Sequence, residues 1–182
     1  MSRTAGRRST EKGGGSVRMT QISTTSNHEG FAIESVSAGV GRIVVDAFTE
    51  TFPMDLTFWD PKRYEKSWAS ALRRVEEADV TTSCLVSSIT DPKTANFISC
   101  WALYRIQSDI FVQNSVIIFD DLDHAFDPEN PWLSAGPREV IDEDGNNVSE
   151  WRVDVEAVRR FRKGIGMDLS RRRAIESRQE TL

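Results

Sequence analysis

Three consecutive segments constrain this chain most: Thr82–Ile89, Asn96–Gln107 and Ile110–Phe119. Each is long enough for a strand, and the connections between them are too short for a helical crossover. Asp91-Pro92 is a turn signal after the first, and Ser108-Asp109 turns the second into the third. Short loops of this kind force antiparallel neighbours, so the segments predict a meander. In the middle segment Phe97, Ser99, Trp101, Leu103 and Arg105 share one face, and Ile98, Cys100, Ala102 and Tyr104 share the other. Apolar residues on both faces predict a strand covered on both sides. The chain therefore needs two separate covers for its sheet.

One cover is legible just upstream. Asp60 suits the N-cap of a helix, and Pro61 suits its first turn, where the missing N–H costs nothing. Tyr64, Trp68, Ala71, Leu72 and Val75 follow at helical spacing and form one apolar face. Lys62, Arg63, Lys66, Arg73 and Arg74 fall largely on the other. Their plain reading is a solvated face; a nucleic-acid patch is the rival, and the acidic surroundings disfavour it.

Before this helix, Gly39 and Gly41 punctuate an apolar stretch from Phe31 to Phe52, which predicts one short strand and a better one near Arg42–Thr49. After the meander, residues 120–137 are acidic and interrupted by Pro128, Pro131 and Pro137, and read as a long surface loop with room for a helical turn. Arg138–Ile141 and Val148–Val153 predict a last hairpin across Asp142–Asn147, with Asp144-Gly145 as its turn. Asp154 caps a final helix whose buried stripe is Val155, Val158 and Phe161, and Gly164 is its stop signal. The predicted class is α+β: an antiparallel β-sheet of four to six strands, a helix packed on one face, and a C-terminal helix.

Composition marks three regions in the 182 residues. Residues 1–28 hold five basic residues, one acid and almost no large apolar group, and read as a disordered basic leader. The break in composition near Met19 makes that residue a candidate start. Residues 29–163 form the folded α+β domain and carry 14 basic and 24 acidic residues, a net charge of −10. Residues 164–182 read as a flexible tail, with a short helix around Ser170–Arg178 as the alternative. No stretch approaches the roughly 20 apolar residues of a membrane span, and no apolar core follows the basic leader as a secretory signal requires. Cys84 and Cys100 sit inside apolar strands and read as buried free thiols of a reducing compartment; a disulfide is the lesser reading.

No catalytic constellation stands out. A nucleophile needs a base within hydrogen-bond reach. The only histidines are His28, in the leader, and His124, in the acidic loop. There is no G-x-S-x-G and no phosphate-binding loop. The run Asp120, Asp121, Asp123, Asp127 and Glu129 has three readings: a solvated loop, a partner-binding loop, or a divalent-metal site. A calcium loop wants Gly at its sixth position and Glu at its twelfth, and no register supplies both. Neither a metal nor a cofactor is expected. Asp142, Glu143 and Asp144 form a second acidic run at a hairpin tip. Core packing accounts for Trp59, Trp68, Trp101 and Trp151. Trp132, in the proline-rich loop, is the candidate for an exposed binding residue.

Several pieces recur together in an order that carries more information than any one of them. They are Phe58-Trp59-Asp60 followed by Tyr64, Lys66, Ser67, Trp68 and Leu72; Asn96-Phe97-Ile98 and Trp101-x-Leu103-Tyr104; Val112-Gln113-Asn114; Asp127-Pro128-Glu129-Asn130; and Gly145 with Ser149-Glu150-Trp151. In these the chain resembles the CdiI-type immunity proteins of bacterial contact-dependent growth inhibition systems. The basic leader and the segment after Phe161 lie outside the resemblance. The family implies a cytoplasmic, non-catalytic protein that binds and neutralises one cognate toxin domain, often a nuclease, with no direct role for nucleic acid or membrane. A nuclease presents a basic groove to phosphates, and carboxylates set against it gain steering and selectivity. On that reading the expected contacts are Asp120, Asp121, Asp123, Asp127, Glu129, Trp132, Asp142, Glu143 and Asp144. A small-ligand sensor or adaptor built on the same sheet is the alternative, and a hydrolase with an unrecognised site is a third.

Overall fold

The computed structural model describes residues 30–164. The expected disordered leader, the Met19 start and the tail with its helix around Ser170–Arg178 lie outside the described residues.

The stretch that precedes the first helix forms three strands. β1 (Phe31–Ser37), β2 (Val40–Val45) and β3 (Phe48–Pro53) make an antiparallel sheet in that order. The single strand expected over Arg42–Thr49 is broken in its middle. Asp46 adopts a left-handed backbone (φ 52°), and the chain reverses so that Phe48 pairs with Val45. Asp is one of the few residues that tolerates this conformation, so a short turn replaces what reads as a continuous apolar run. Gly41 pairs with Phe52, and a Cβ at Gly41 would lie 2.3 Å from the Phe52 ring. Only glycine leaves room for that aromatic to fold over the sheet.

α1 (Pro61–Glu77) starts as the sequence predicts. The Asp60 carboxylate accepts the Arg63 amide at 2.8 Å, Pro61 opens the first turn, and the five predicted stripe residues are all buried. The large sheet follows: β4 (Val80–Ser88), β5 (Phe97–Ile106), β6 (Asp109–Ile118) and β7 (Glu150–Asp154), antiparallel in that order. Four strands fall within the expected number, while β1–β3 form a second sheet rather than extending the first. α1 runs along the β4 edge. Trp68 Nε1 donates to the Val86 carbonyl at 2.7 Å, and Arg74 Nε donates to the Thr82 carbonyl at 3.0 Å. These bonds occupy groups that an uncovered edge strand would offer to another chain.

The register defines two faces. Leu85, Trp101 and Asn114 lie side by side on one, and Cys84, Ala102, Gln113 and Glu150 on the other. α1 and the small sheet cover the first face. Phe48 and Phe52 pack at 6.0 and 6.3 Å from the Trp101 ring, and Phe48 stacks on Trp151 at 3.7 Å. The second face is covered by residues 119–141, so the stretch 120–137, read as a surface loop with room for a helical turn, does carry a helical turn at Pro131–Ser134 but also packs inward. Phe119, Leu122, Phe126, Trp132 and Ala135 pack against the core, and Pro131 and Ser134 are buried. The Tyr104 hydroxyl donates to the Pro137 carbonyl at 3.3 Å, and Gln113 Nε2 donates to the Glu139 carbonyl at 2.6 Å. The apolar residues of this segment have no helical or strand period, so their inward role does not show as a pattern.

The predicted last hairpin is reduced to one isolated bridge, Ile141 with Asn147, flanked by two backbone bonds: the Val148 amide to the Val140 carbonyl at 3.0 Å and the Asp142 amide to the Asn146 carbonyl at 2.8 Å. Arg138 is diverted: its guanidinium lies 3.9 Å over the Phe111 ring and forms a two-pronged pair with Glu150 at 2.5 and 2.7 Å. A second helix, α2, spans residues 155–164 and buries the predicted Val155, Val158 and Phe161. Phe161 meets Phe31 edge-on at 5.6 Å, and Arg162 grips Glu76 of α1 at 2.5 and 2.8 Å. Cys84 and Cys100 are free and buried. A thiol–thiol hydrogen bond to Cys100, and then burial, push the Cys84 thiol well above its ordinary value, so it stays protonated and unreactive.

Candidate functional site

The first acidic run divides into free and engaged carboxylates. Asp120 and Asp121 stand in a single 3-10 turn directly after β6, both exposed, and neither side chain has a hydrogen-bonding or ionic partner among the described residues. Asp127 is a local organiser. Its carboxylate accepts the Glu129 amide and the Asn130 side-chain amide, both at 2.8 Å, and these bonds hold its pKa below the ordinary carboxylate value. Glu129 pairs with Arg63 of α1, which lies 5.5 Å over the Trp59 ring. The Asp127–Asn130 turn is thereby tied to the start of the first helix.

Asp123, His124 and Ser134 form a relay. The His124 ring joins Asp123 Oδ1 at 2.6 Å through Nδ1 and Ser134 Oγ at 3.0 Å through Nε2. The connectivity is that of a hydrolase triad. Ser134, however, is only 7% exposed, on the inward side of the segment that covers the sheet, while Asp123 stands in water. The arrangement works as a clasp across the covering segment. Among the described residues, no group of three or more His, Cys, Asp or Glu side chains is placed to hold a metal ion. No helix of the described residues is long and apolar enough to cross a membrane.

The second run repeats the division. Asp142 Oδ1 accepts the amides of Asn146 at 2.7 Å and Asp144 at 3.1 Å, and Gly145 closes the turn at φ 85°. The Asn146 amide contributes most to holding the Asp142 pKa low. Glu143 and Asp144 point away, exposed and without side-chain partners among the described residues. Trp132 is half-buried and packed on the core, so most of its ring serves the fold; its neighbour Leu133 is the exposed residue of that turn. The β6–β7 register, with Gln113 opposite Glu150, brings the chain into β7 from the Ile118 end of β6. Phe119–Asp121 begins at that same end.

The sequence reading missed the polar network that holds this region in place. Gln113 is buried in β6 and donates to Glu150 Oε2 at 3.0 Å as well as to the Glu139 carbonyl, while Arg138 clamps the same carboxylate. Arg138, first among the causes, and then Gln113 hold the Glu150 pKa low. A glutamine amid an apolar strand was the available signal, since a buried amide requires partners.

A sequence model of the CdiI N-terminal domain matches residues 54–161, from the end of β3 into α2. The chain belongs to the CdiI family. The immunity protein CdiI of Enterobacter cloacae subsp. cloacae is 33% identical over 136 residues, which cover 75% of this chain and 92% of that protein. A chain of the solved CdiA-CT/CdiI toxin and immunity complex from Enterobacter cloacae superposes with a TM-score of 0.68 at 31% identity, covering 75% of this chain and 98% of that one. The CdiI resemblance and the α+β class expected from the sequence are both confirmed. The family match spans α1, the whole large sheet, the covering segment with both acidic runs, and most of α2.

Proposed function

We propose that this protein is an immunity protein that binds and neutralises a cognate toxin domain, in the cytoplasm, as a stoichiometric complex and without catalysis of its own. The observation that carries the reading is the likeness to a chain of a toxin and immunity complex over 98% of that chain's length. The toxin on this reading is a basic, nuclease-like domain, which suits the net charge of −10 over residues 29–163. Nucleic acid and membrane are not partners.

The nine acidic and aromatic residues expected at the interface do not carry equal weight. Asp120, Asp121, Glu143 and Asp144 hold uncommitted carboxylates that can face a basic surface. Asp123, Asp127, Glu129 and Asp142 reach a partner only with charge already shared with local donors. Trp132 offers only the exposed part of a packed ring.

Co-expression with the toxin domain encoded by the neighbouring gene tests the proposal. The expected result is survival of the cells and co-purification of a one-to-one complex. Cells that stay fully sensitive while the protein is present and folded refute it, as does turnover of a substrate by the purified chain alone.

A further inference from the structure

Burial along one face of β6 changes abruptly. Ile110 and Val112 are buried, whereas Asn114, Val116 and Ile118 on the same face are exposed. Ile118 lies directly opposite Phe97 of β5, and Val116 lies opposite Ser99. Phe97, Val116 and Ile118 are 54%, 52% and 46% exposed and share one corner of the sheet. α1 and the small sheet cover this face as far as Trp101 and stop short of the corner. Its edge is open too. β7 pairs only with Asp109–Gln113, so among the described residues Asn114–Ile118 has β5 on one side and no strand on the other.

Scattered single apolar residues on a surface need no account, but adjacent ones beside an unpaired edge do. At such exposure about half of each side chain's apolar surface is left in water, where it adds nothing to the fold. Phenylalanine, valine and isoleucine do suit the centre of an interface, where apolar anchors are dehydrated inside a polar rim. The rim is present: Asp120 and Asp121, with uncommitted carboxylates, follow Ile118 by two and three residues.

We propose that the Phe97–Val116–Ile118 corner, with Asp120 and Asp121 at its rim, is the docking centre for the cognate toxin domain. The inference rests on the immunity reading above and names the surface through which it operates. The charge pattern selects the occupant: a partner patch with an apolar centre and basic surround fits. A second copy of this chain brings the same carboxylates against one another and is repelled. Apolar contacts at the corner set the lifetime of the complex, and the carboxylates set its rate of formation.

The test uses the full chain and the purified toxin domain from the neighbouring gene. Val116→Arg and Ile118→Arg place positive charge against a basic partner. Ile106→Arg, exposed at the far end of β5, is the control. Each corner variant is expected to keep the wild-type circular dichroism and weaken binding about tenfold or more, mainly by faster dissociation, while the control binds like wild type. Hydrogen exchange on the wild-type complex provides a second readout that does not depend on a variant folding. Protection at residues 97–99 and 114–118 supports the assignment, and its absence overturns it. Wild-type binding with unchanged corner variants overturns this inference and leaves the immunity function standing. A wild-type chain that binds no toxin at all overturns both. A free chain that forms a dimer broken by either corner substitution assigns the surface to a second copy, and also overturns the inference.

Discussion

Arg105, near the C-terminal end of β5, donates from Nη1 to the main-chain carbonyl of Val75 at 2.9 Å and so closes the last turn of α1 from outside the helix. The same nitrogen reaches the Glu76 carbonyl at 2.9 Å, Nη2 reaches Asp79 Oδ1 at 2.8 Å, and Nε reaches the Gln107 carbonyl at 2.8 Å. The last carbonyls of a helix lack partners within it. Here a buried strand residue supplies them. Arg105→Leu is expected to cost about 3 kcal/mol in urea unfolding, since it strands the buried Val75 carbonyl and the part-buried Glu76 and Gln107 carbonyls. Arg105→Lys is expected to recover only part, because an ammonium cannot span the same fork. A loss below about 1 kcal/mol for the leucine variant refutes the capping role.

Gly41 and Phe52 form a matched pair across β2 and β3. Gly41→Ala is expected to destabilise by about 1–3 kcal/mol, as overpacking does. Combining it with Phe52→Leu is expected to cost less than the two single changes added together, because the clash is removed with the ring. Additive losses in thermal unfolding contradict the close approach.

Tyr64 and Tyr104 carry phenols whose pKa burial raises to about 12, from an ordinary 10.0. The folded state therefore holds these protons more tightly than the unfolded chain. Their contribution is complete below pH 10 and declines as pH rises through about 12. Stability measured by urea unfolding is expected to fall across that window, with phenolate absorbance rising at unfolding. Tyr64→Phe is expected to reduce the slope there. It also loses the bonds to the Asp55 carbonyl at 2.7 Å and from the Ile89 amide at 3.1 Å.

Glu150 works in the opposite direction. Its carboxylate pKa lies below the ordinary value because Arg138 and Gln113 bind the charged form. The stability it adds is present above the unfolded carboxylate pKa and is lost as pH falls through the lower folded one. Glu150→Gln is expected to flatten the acid limb of the stability profile and to loosen the 138–141 segment, seen as faster amide exchange there. An unchanged acid limb argues against the clamp.

Charge reversal separates free carboxylates from engaged ones. Asp120→Lys combined with Asp121→Lys is expected to leave stability within about 0.5 kcal/mol of wild type, as surface changes do. The same double variant is expected to slow association with the toxin domain several-fold and to weaken the salt dependence of its rate. Asp127→Ala is expected to destabilise the Asp127–Asn130 turn by about 1 kcal/mol through its lost cap-like bonds. Ser134→Ala is expected to leave protection intact, whereas a hydrolase requires that hydroxyl.

Much of this architecture is written locally. The N-cap at Asp60, the stripe from Tyr64 to Val75, the alternation around Trp101 and the Val155–Phe161 helix each depend on residues within a turn or a strand of one another, so period and cap chemistry declare them. The family, too, is legible, because short motifs keep their order along the chain.

What the tertiary structure decided lies between distant segments. Phe48 and Phe52 over Trp101, the 119–141 segment over Tyr104 and Gln113, and the Glu129–Arg63 tie join residues about 30 to 70 positions apart. No local pattern encodes which of two apolar faces receives which cover. A proline-broken acidic stretch can pack inward because its buried residues follow the shape of the sheet rather than any period of their own. The same logic leaves Phe97, Val116 and Ile118 bare: in sequence they match their buried neighbours, and only the limits of α1 and the small sheet expose them.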